Sequence, residues 1–235
     1  MTQTSALIFG YNEYTSEIKK NISSHYKNIH VFKLDENITP IDKEDESYEV
    51  SIFDLSDNWN HLSDIVDIEE CVAFCILEDM AENIFLTLSL RDTFKDLIIV
   101  ALAADKESAD KLTLAGASRV IPTTQTTANV IVDMLEKPIV TEVLHDILYE
   151  KSNLKIAQIK VGENDYFEGK YPSDIEWSRQ HGIIVLSIVH EDMSTEFVYS
   201  SKAQHHVIKK GDIFVVVGYE LEIKEFEKMI GSGCE

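Results

Sequence analysis

Residues Gly10 to Thr15, GYNEYT, stand where an apolar run, Ala6 to Phe9, gives way to a segment of helical period. In a dinucleotide fingerprint, G-x-G-x-x-G, the first glycine makes the tight turn. The second lets the backbone approach a pyrophosphate, and the third lets helix and strand pack closely. Gly10 supplies the first glycine, while Asn12 and Thr15 occupy the second and third positions. One glycine after an apolar strand is equally well ordinary turn punctuation, and both readings stand on these residues alone.

Carboxylates follow the later apolar runs: Asp35 and Glu36 after the second, Asp54 after the third, Glu78 and Asp79 after the fourth. Asp35 lies 25 positions beyond Gly10, close to where a dinucleotide site places the carboxylate that hydrogen-bonds ribose hydroxyls. Glu13 falls in the first helical turn, where it repels a phosphate held at the helix N-terminus but complements the helix dipole. The candidate ligand-binding residues are therefore Gly10, Tyr11, Asn12, Glu13, Asp35, Asp54, Glu78 and Asp79, a set that suits a nucleoside or an adenine nucleotide bound off-centre. The chain contains no G-x-S-x-G, no G-x-x-x-x-G-K-[ST] and no H-E-x-x-H. The expected activity is binding, with no catalytic residues assigned.

The elements that must position these residues follow from the hydrophobic pattern. Strands are predicted at Ala6 to Gly10, Ile29 to Leu34, Val50 to Phe53, Val72 to Leu77, Leu97 to Ala103 and Val120 to Ile121. Helices are predicted at Glu13 to Tyr26, Glu82 to Phe94 and Lys106 to Ala115. Such alternation implies repeated βαβ units and a doubly wound parallel sheet, whose ligands bind beyond the carboxyl ends of the strands. Pro138 interrupts a helical pattern running from Thr126 to Glu150, because proline cannot donate to the helical ladder. From Leu154 the texture changes to strand and turn, closing on a helix from Leu221 to Ile230. The organisation predicted is 1–125, an α/β domain; 126–152, broken crossover helices and a hinge; and 153–235, a small α+β domain.

The 42 acidic against 21 basic residues give a formal charge of −21, which opposes binding to nucleic acid or anionic lipid. No uncharged apolar run approaches the roughly 20 residues that cross a bilayer. Cys71, Cys75 and Cys234 form no disulfide or C-x-x-C framework; the first two share one face of a predicted strand and read as core. His205 and His206, adjacent in sequence, read as loop or edge residues.

Against this background the run from Ala81 to Val140 resembles the second half of the RCK, or TrkA-N, domain that regulates potassium conductance. Glu82 with Asn83 matches its D/E-x-N pair, and Ala115 to Pro122 matches its A-G-A-x-x-V-I-P run. Leu154 to Ile230 resembles the companion TrkA-C domain through Gly169 with Lys170, through Gly182 to Val185, and through Lys209, Lys210, Gly211, Asp212 and Gly218. The resemblance implies a cytoplasmic regulatory domain, not an enzyme, that acts on a potassium-channel or transporter pore in the same chain or a separate subunit. It implies homodimers paired through the crossover helix and assembled into an octameric ring. Ligands in the family include nicotinamide dinucleotides, adenine nucleotides and calcium.

Two departures from the family pattern bear on the ligand. The degenerate turn disfavours NAD, leaving calcium or an adenine nucleotide as candidates, and Phe53 replaces the glycine of the family's G-D before Asp54. The segment between Asp35 and Val50 is short and acidic, which points to a reduced second helix. Calcium takes roughly six to eight oxygen ligands, and Asp146, Glu150, Glu163, Asp165 and Glu168 are the carboxylates near the hinge. The alternatives in other classes are a nucleotide-dependent oxidoreductase and an assembly module with an empty cleft.

Overall fold

A computed structural model of the chain describes residues 4–35, 50–149, 152–162, 166–190, 194–198 and 207–230. The chain divides into two compact units, Met1–Val132 and Asp133–Glu235.

The first unit is built on six parallel strands, β1 (Ser5–Phe9), β2 (Asn28–Leu34), β3 (Val50–Phe53), β4 (Cys71–Cys75), β5 (Ile98–Ala103) and β6 (Arg119–Pro122), in the spatial order β3-β2-β1-β4-β5-β6. The central strands are apolar along their length because both faces are covered. Leu7 and Phe9 enter the larger core with Phe32, Phe53, Leu86 and Leu90, while Ile8 enters a smaller one with Val31 and Ile76. Phe9 stacks on Phe32 with ring centroids 4.7 Å apart and meets Phe53 and Trp59 edge-on.

Helix α1 (Glu13–Ile22) follows β1, α2 (Met80–Thr93) follows β4, and α3 (Lys106–Leu114) follows β5. The crossover between β3 and β4 departs from the regular βαβ alternation that the hydrophobic pattern implies. Two 3-10 turns, Trp59–Asp64 and Ile68–Glu70, replace an α-helix there and bury Trp59 and Leu62. The run DLSDNWN explains this, since Asp and Asn side chains bond the nearby backbone and divert it from helix; Asn58 accepts from the Asn60 amide, and Asp54 from the Ser56 amide. The residues expected to hold a reduced second helix, 36–49, lie outside those described.

Two further features lock the sheet. Asn83, fully buried in α2, accepts from the Leu77 amide at 3.1 Å and donates to the carbonyls of Cys75 (3.2 Å) and Leu102 (3.0 Å), stitching β4 to β5. Arg91 donates to the carbonyls of Phe94, Lys95, Leu97 and Gly116 and to Ser118 Oγ. Gly116 has φ +100°, and a Cβ there would stand 2.4 Å from Arg91 Cγ, which accounts for the glycine in the A-G-A run.

Helix α4 (Thr123–Glu136) ends where Lys137 caps α5 (Pro138–Leu148), with Pro138 at the first helical position, so the proline starts a second helix as its missing N–H dictates. The second unit pairs β7 (Leu154–Lys160), β8 (Ile184–Val189), β9 (Thr195–Phe197) and β10 (Ile213–Tyr219) in an antiparallel sheet of order β7-β10-β8-β9. It also holds α6 (Trp177–His181) and α7 (Glu220–Met229), and its core gathers Phe167, Trp177, Phe214 and Phe226. Asp212 of the K-x-G-D run is buried; it accepts from the Lys209 amide at 2.9 Å and lies 3.1 Å from His190 Nδ1.

Candidate functional site

The sheet order reverses at β1, whose neighbours are β2 and β4, so the switch-point crevice opens at the carboxyl ends of these strands. A small cleft of about 100 Å³ lies there, lined by Gly10, Tyr11, Asn12, Lys33, Leu34, Leu77 and Glu78. Gly10 is required by close approach as well as by its φ of +143°: a Cβ would lie 2.7 Å from Ile76 Cγ1 and 2.8 Å from the Ile76 carbonyl oxygen.

Asn12 caps α1, its Oδ1 accepting from the Tyr14 amide at 3.0 Å while its Nδ2 donates to the Ile76 carbonyl at 2.8 Å. Thr15 is buried; its hydroxyl donates to the Gly10 carbonyl at 2.9 Å and accepts from the Asn12 amide at 3.1 Å. The two non-glycine residues of the fingerprint are therefore bonded to each other's backbone and to the strands beside them.

Four of the eight predicted residues, Gly10, Tyr11, Asn12 and Glu78, meet in this cleft. The other four are not among its lining residues. Glu13 is exposed in the first turn of α1, as its complement to the helix dipole would have it. Asp79 caps α2, its Oδ1 accepting from the amides of Ala81 (2.8 Å) and Glu82 (3.0 Å). Asp35 donates its amide to the Phe53 carbonyl at 2.9 Å. Asp54 follows the edge strand β3, two strands from β1, and its carboxylate accepts from the Ser56 hydroxyl and amide, which hold its pKa below the usual range.

Lys33, Leu34 and Leu77 line the cleft without being among the predicted residues, and Lys33 is the charged one of the three. It is 6% exposed, and its ammonium lies 5.3 Å from the centroid of the Tyr11 ring. The signal for it was present: Lys33 is the only formal charge in NIHVFKL, one residue before that strand ends. Lys33 and Glu78 give the lining one residue of each charge.

Of the proposed calcium ligands, Asp146 lies in α5 and Glu168 in the turns before α6, while Glu150, Glu163 and Asp165 lie outside the described residues. Among the described residues no group of three or more His, Cys, Asp or Glu side chains is placed to hold a metal ion. Cys71 and Cys75 are buried in β4, and burial pushes each thiol up to about 12. Cys234, His205 and His206 lie outside the described residues. No described helix is long and apolar enough to cross a membrane.

A parallel sheet of this order, with its cleft at the switch point and a glycine turn leading into α1, is a Rossmann-like domain. The sequence profile of the TrkA-N domain matches residues 6–123, half of the chain, and the chain belongs to that family. The expectation of an RCK regulatory domain is thereby borne out in its TrkA-N half. The chain is similar to Potassium channel protein 1 of Methanocaldococcus jannaschii, 23% identical over 155 residues that cover 66% of this chain and 45% of that protein. It is also similar to Probable potassium channel protein 2 of the same organism, 24% identical over 156 residues that cover 64% of this chain and 44% of that one. The chain thus spans less than half the length of these relatives. In fold it is similar to the human SLO3 gating ring, with a TM-score of 0.62 and 10% identity over 99% of this chain and 46% of that one. The GsuK RCK domain matches with a TM-score of 0.48 and 17% identity, over 99% of this chain and 48% of that one.

Proposed function

We propose that this chain is a regulatory domain, not an enzyme, that gates potassium transport through a membrane pore carried on the same chain or on a separate subunit. The observation that carries the reading is the TrkA-N match across residues 6–123. Both curated relatives are potassium channel proteins by name. On this reading the domain lies in the cytoplasm at the inner face of the membrane, and residues 153–235 serve as its TrkA-C partner domain.

Helices α4 and α5 supply the contact between copies. No residue of either helix is buried, yet Val130, Ile131, Leu135, Ile139, Val140 and Val143 are all exposed apolar side chains. Leu135 is 78% and Ile139 75% exposed. Apolar surface of this extent on a soluble chain marks an interaction site, and a second copy covering it gives a homodimer from which a ring can be assembled. A ligand in the cleft lined by Gly10, Tyr11, Asn12 and Glu78 gates the pore only through different affinities for two arrangements of that assembly.

Light scattering combined with calorimetric titration of ADP, ATP, NAD and calcium tests this reading. Self-association, together with binding of one of these ligands that changes the assembly, is the expected result. A strict monomer at high concentration, or hydride transfer with a bound nicotinamide, overturns it.

A further inference from the structure

The turn after β1 runs from Gly10, at φ +143°, into the N-terminus of α1, and its polar groups already have partners. The Tyr14 amide donates to Asn12 Oδ1 and the Asn12 amide to Thr15 Oγ1, at 3.0 and 3.1 Å. These are amides at the start of a helix, the kind that hold anions when they are open. The Thr15 hydroxyl spends its own proton on the Gly10 carbonyl at 2.9 Å, and Asn12 Nδ2 is anchored on the Ile76 carbonyl at 2.8 Å. Neither side chain can therefore swing aside without breaking a second bond.

Backbone conformation makes no demand for glycine at position 12. Asn12 has φ −148° and ψ −173°, extended backbone that any residue adopts. What a glycine would provide there is access, and the asparagine side chain removes it. The lining carries one residue of each charge, Lys33 and Glu78, so exclusion of phosphate from the turn rests on the hydrogen bonds of Asn12 and Thr15 and not on the net charge of the crevice.

We infer that Asn12 and Thr15 are specificity-determining residues that close the phosphate position of this turn, so that any nucleotide in the cleft keeps its phosphates away from α1. The inference deepens the ligand-sensing reading above and rests on it only in taking this cleft as the place where a ligand enters. The ligand class it selects is a nucleoside, or a nucleotide recognised through its base and sugar, with no diphosphate held by the turn.

The test is calorimetric titration of the full chain with ADP and with adenosine, in the wild type and in N12G/T15G. In the wild type ADP binds no more than about three-fold tighter than adenosine, or neither binds. In the double variant, where two charge-assisted bonds to backbone amides become available, ADP gains at least about ten-fold over adenosine. A wild-type preference for ADP larger than three-fold overturns the inference, as does a folded double variant with no gain for ADP. Should the double variant lack a cooperative thermal transition, N12G carries the same measurement, since glycine is well accepted at a helix N-cap. The ADP gain in the variant is independent of self-association, so failure here is distinct from failure of the gating reading.

Discussion

Asn12 Nδ2 donates to the carbonyl oxygen of Ile76 at 2.8 Å, tying the turn after β1 to the end of β4 through a side chain that stands where a fingerprint would have glycine. The bond spans 64 positions of sequence and ties Asn12, a lining residue of the switch-point cleft, to the residue that follows β4. It makes the degenerate turn a built structure with its own hydrogen bonds, and not a dinucleotide site that has merely decayed.

Asn83 is expected to be the most sensitive polar residue of the first unit. Asn83→Leu keeps the branched shape but leaves the Leu77 amide and the carbonyls of Cys75 and Leu102 without their partner in the interior. Each buried group so orphaned costs about 1–3 kcal/mol, so a loss of about 3 kcal/mol or more is expected in urea denaturation.

Gly116→Ala places a methyl 2.4 Å from Arg91 Cγ at a φ of +100°. Arg91 cannot retreat without loosening its bonds to the carbonyls of Gly116, Phe94 and Leu97. A loss of about 1–3 kcal/mol is expected from strain and overpacking together, and Arg91→Ala in the same background should recover part of the steric component when measured as a double-mutant cycle.

Cys71 and Cys75, with thiols pushed up to about 12 by burial, hold almost no thiolate at pH 8. Alkylation followed by peptide mass spectrometry should label neither residue in the folded chain, and both after denaturation. Labelling of either in the native state at the rate of an exposed thiol would contradict their place in the core.

His181 packs among Phe167, Trp177 and Phe226, and burial first, then the nearby Lys170 charge, lowers its pKa below 6.5. The unfolded chain therefore takes up a proton at a higher pH than the folded one. Its contribution to stability is full above the unfolded value and falls as pH drops through that value toward the folded one. Denaturation midpoints of His181→Gln compared with wild type between pH 7.5 and 5 should show the variant losing less on acidification.

Leu135→Lys, at the most exposed apolar position of α4, should abolish self-association in light scattering while the chain keeps a cooperative thermal transition, lowered only by the loss of the second copy. Unchanged association would place the contact on another surface.

The strands and most helices were legible in the sequence because a parallel sheet covered on both faces needs continuous apolar runs, and ALIF, HVF and IIVALA are such runs. The crossover between β3 and β4 was read less well. Its 3-10 turns are stabilised by side chains bonding their own backbone, and such bonds leave no hydrophobic period to detect. Asp79 illustrates a related limit: a carboxylate after a strand reads equally as a ligand contact or a helix cap, and only its bonds to the Ala81 and Glu82 amides distinguish the two.

By itself the sequence determined the doubly wound fold, the turn at Gly10 and the family likeness, because hydrophobic period and glycine placement act over a few residues at a time. Tertiary structure alone decided which residues share the cleft. It brought Lys33 beside Tyr11 and Glu78 and left Asp35, Asp54 and Asp79 outside the lining. It also decided that Asn12 and Thr15 use their polar groups on Ile76, Gly10 and Tyr14. The physical reason is that hydrogen-bond partners are set by which strand ends the sheet order places side by side. That order joins β1 to β4 across more than 60 residues of sequence that no local pattern records.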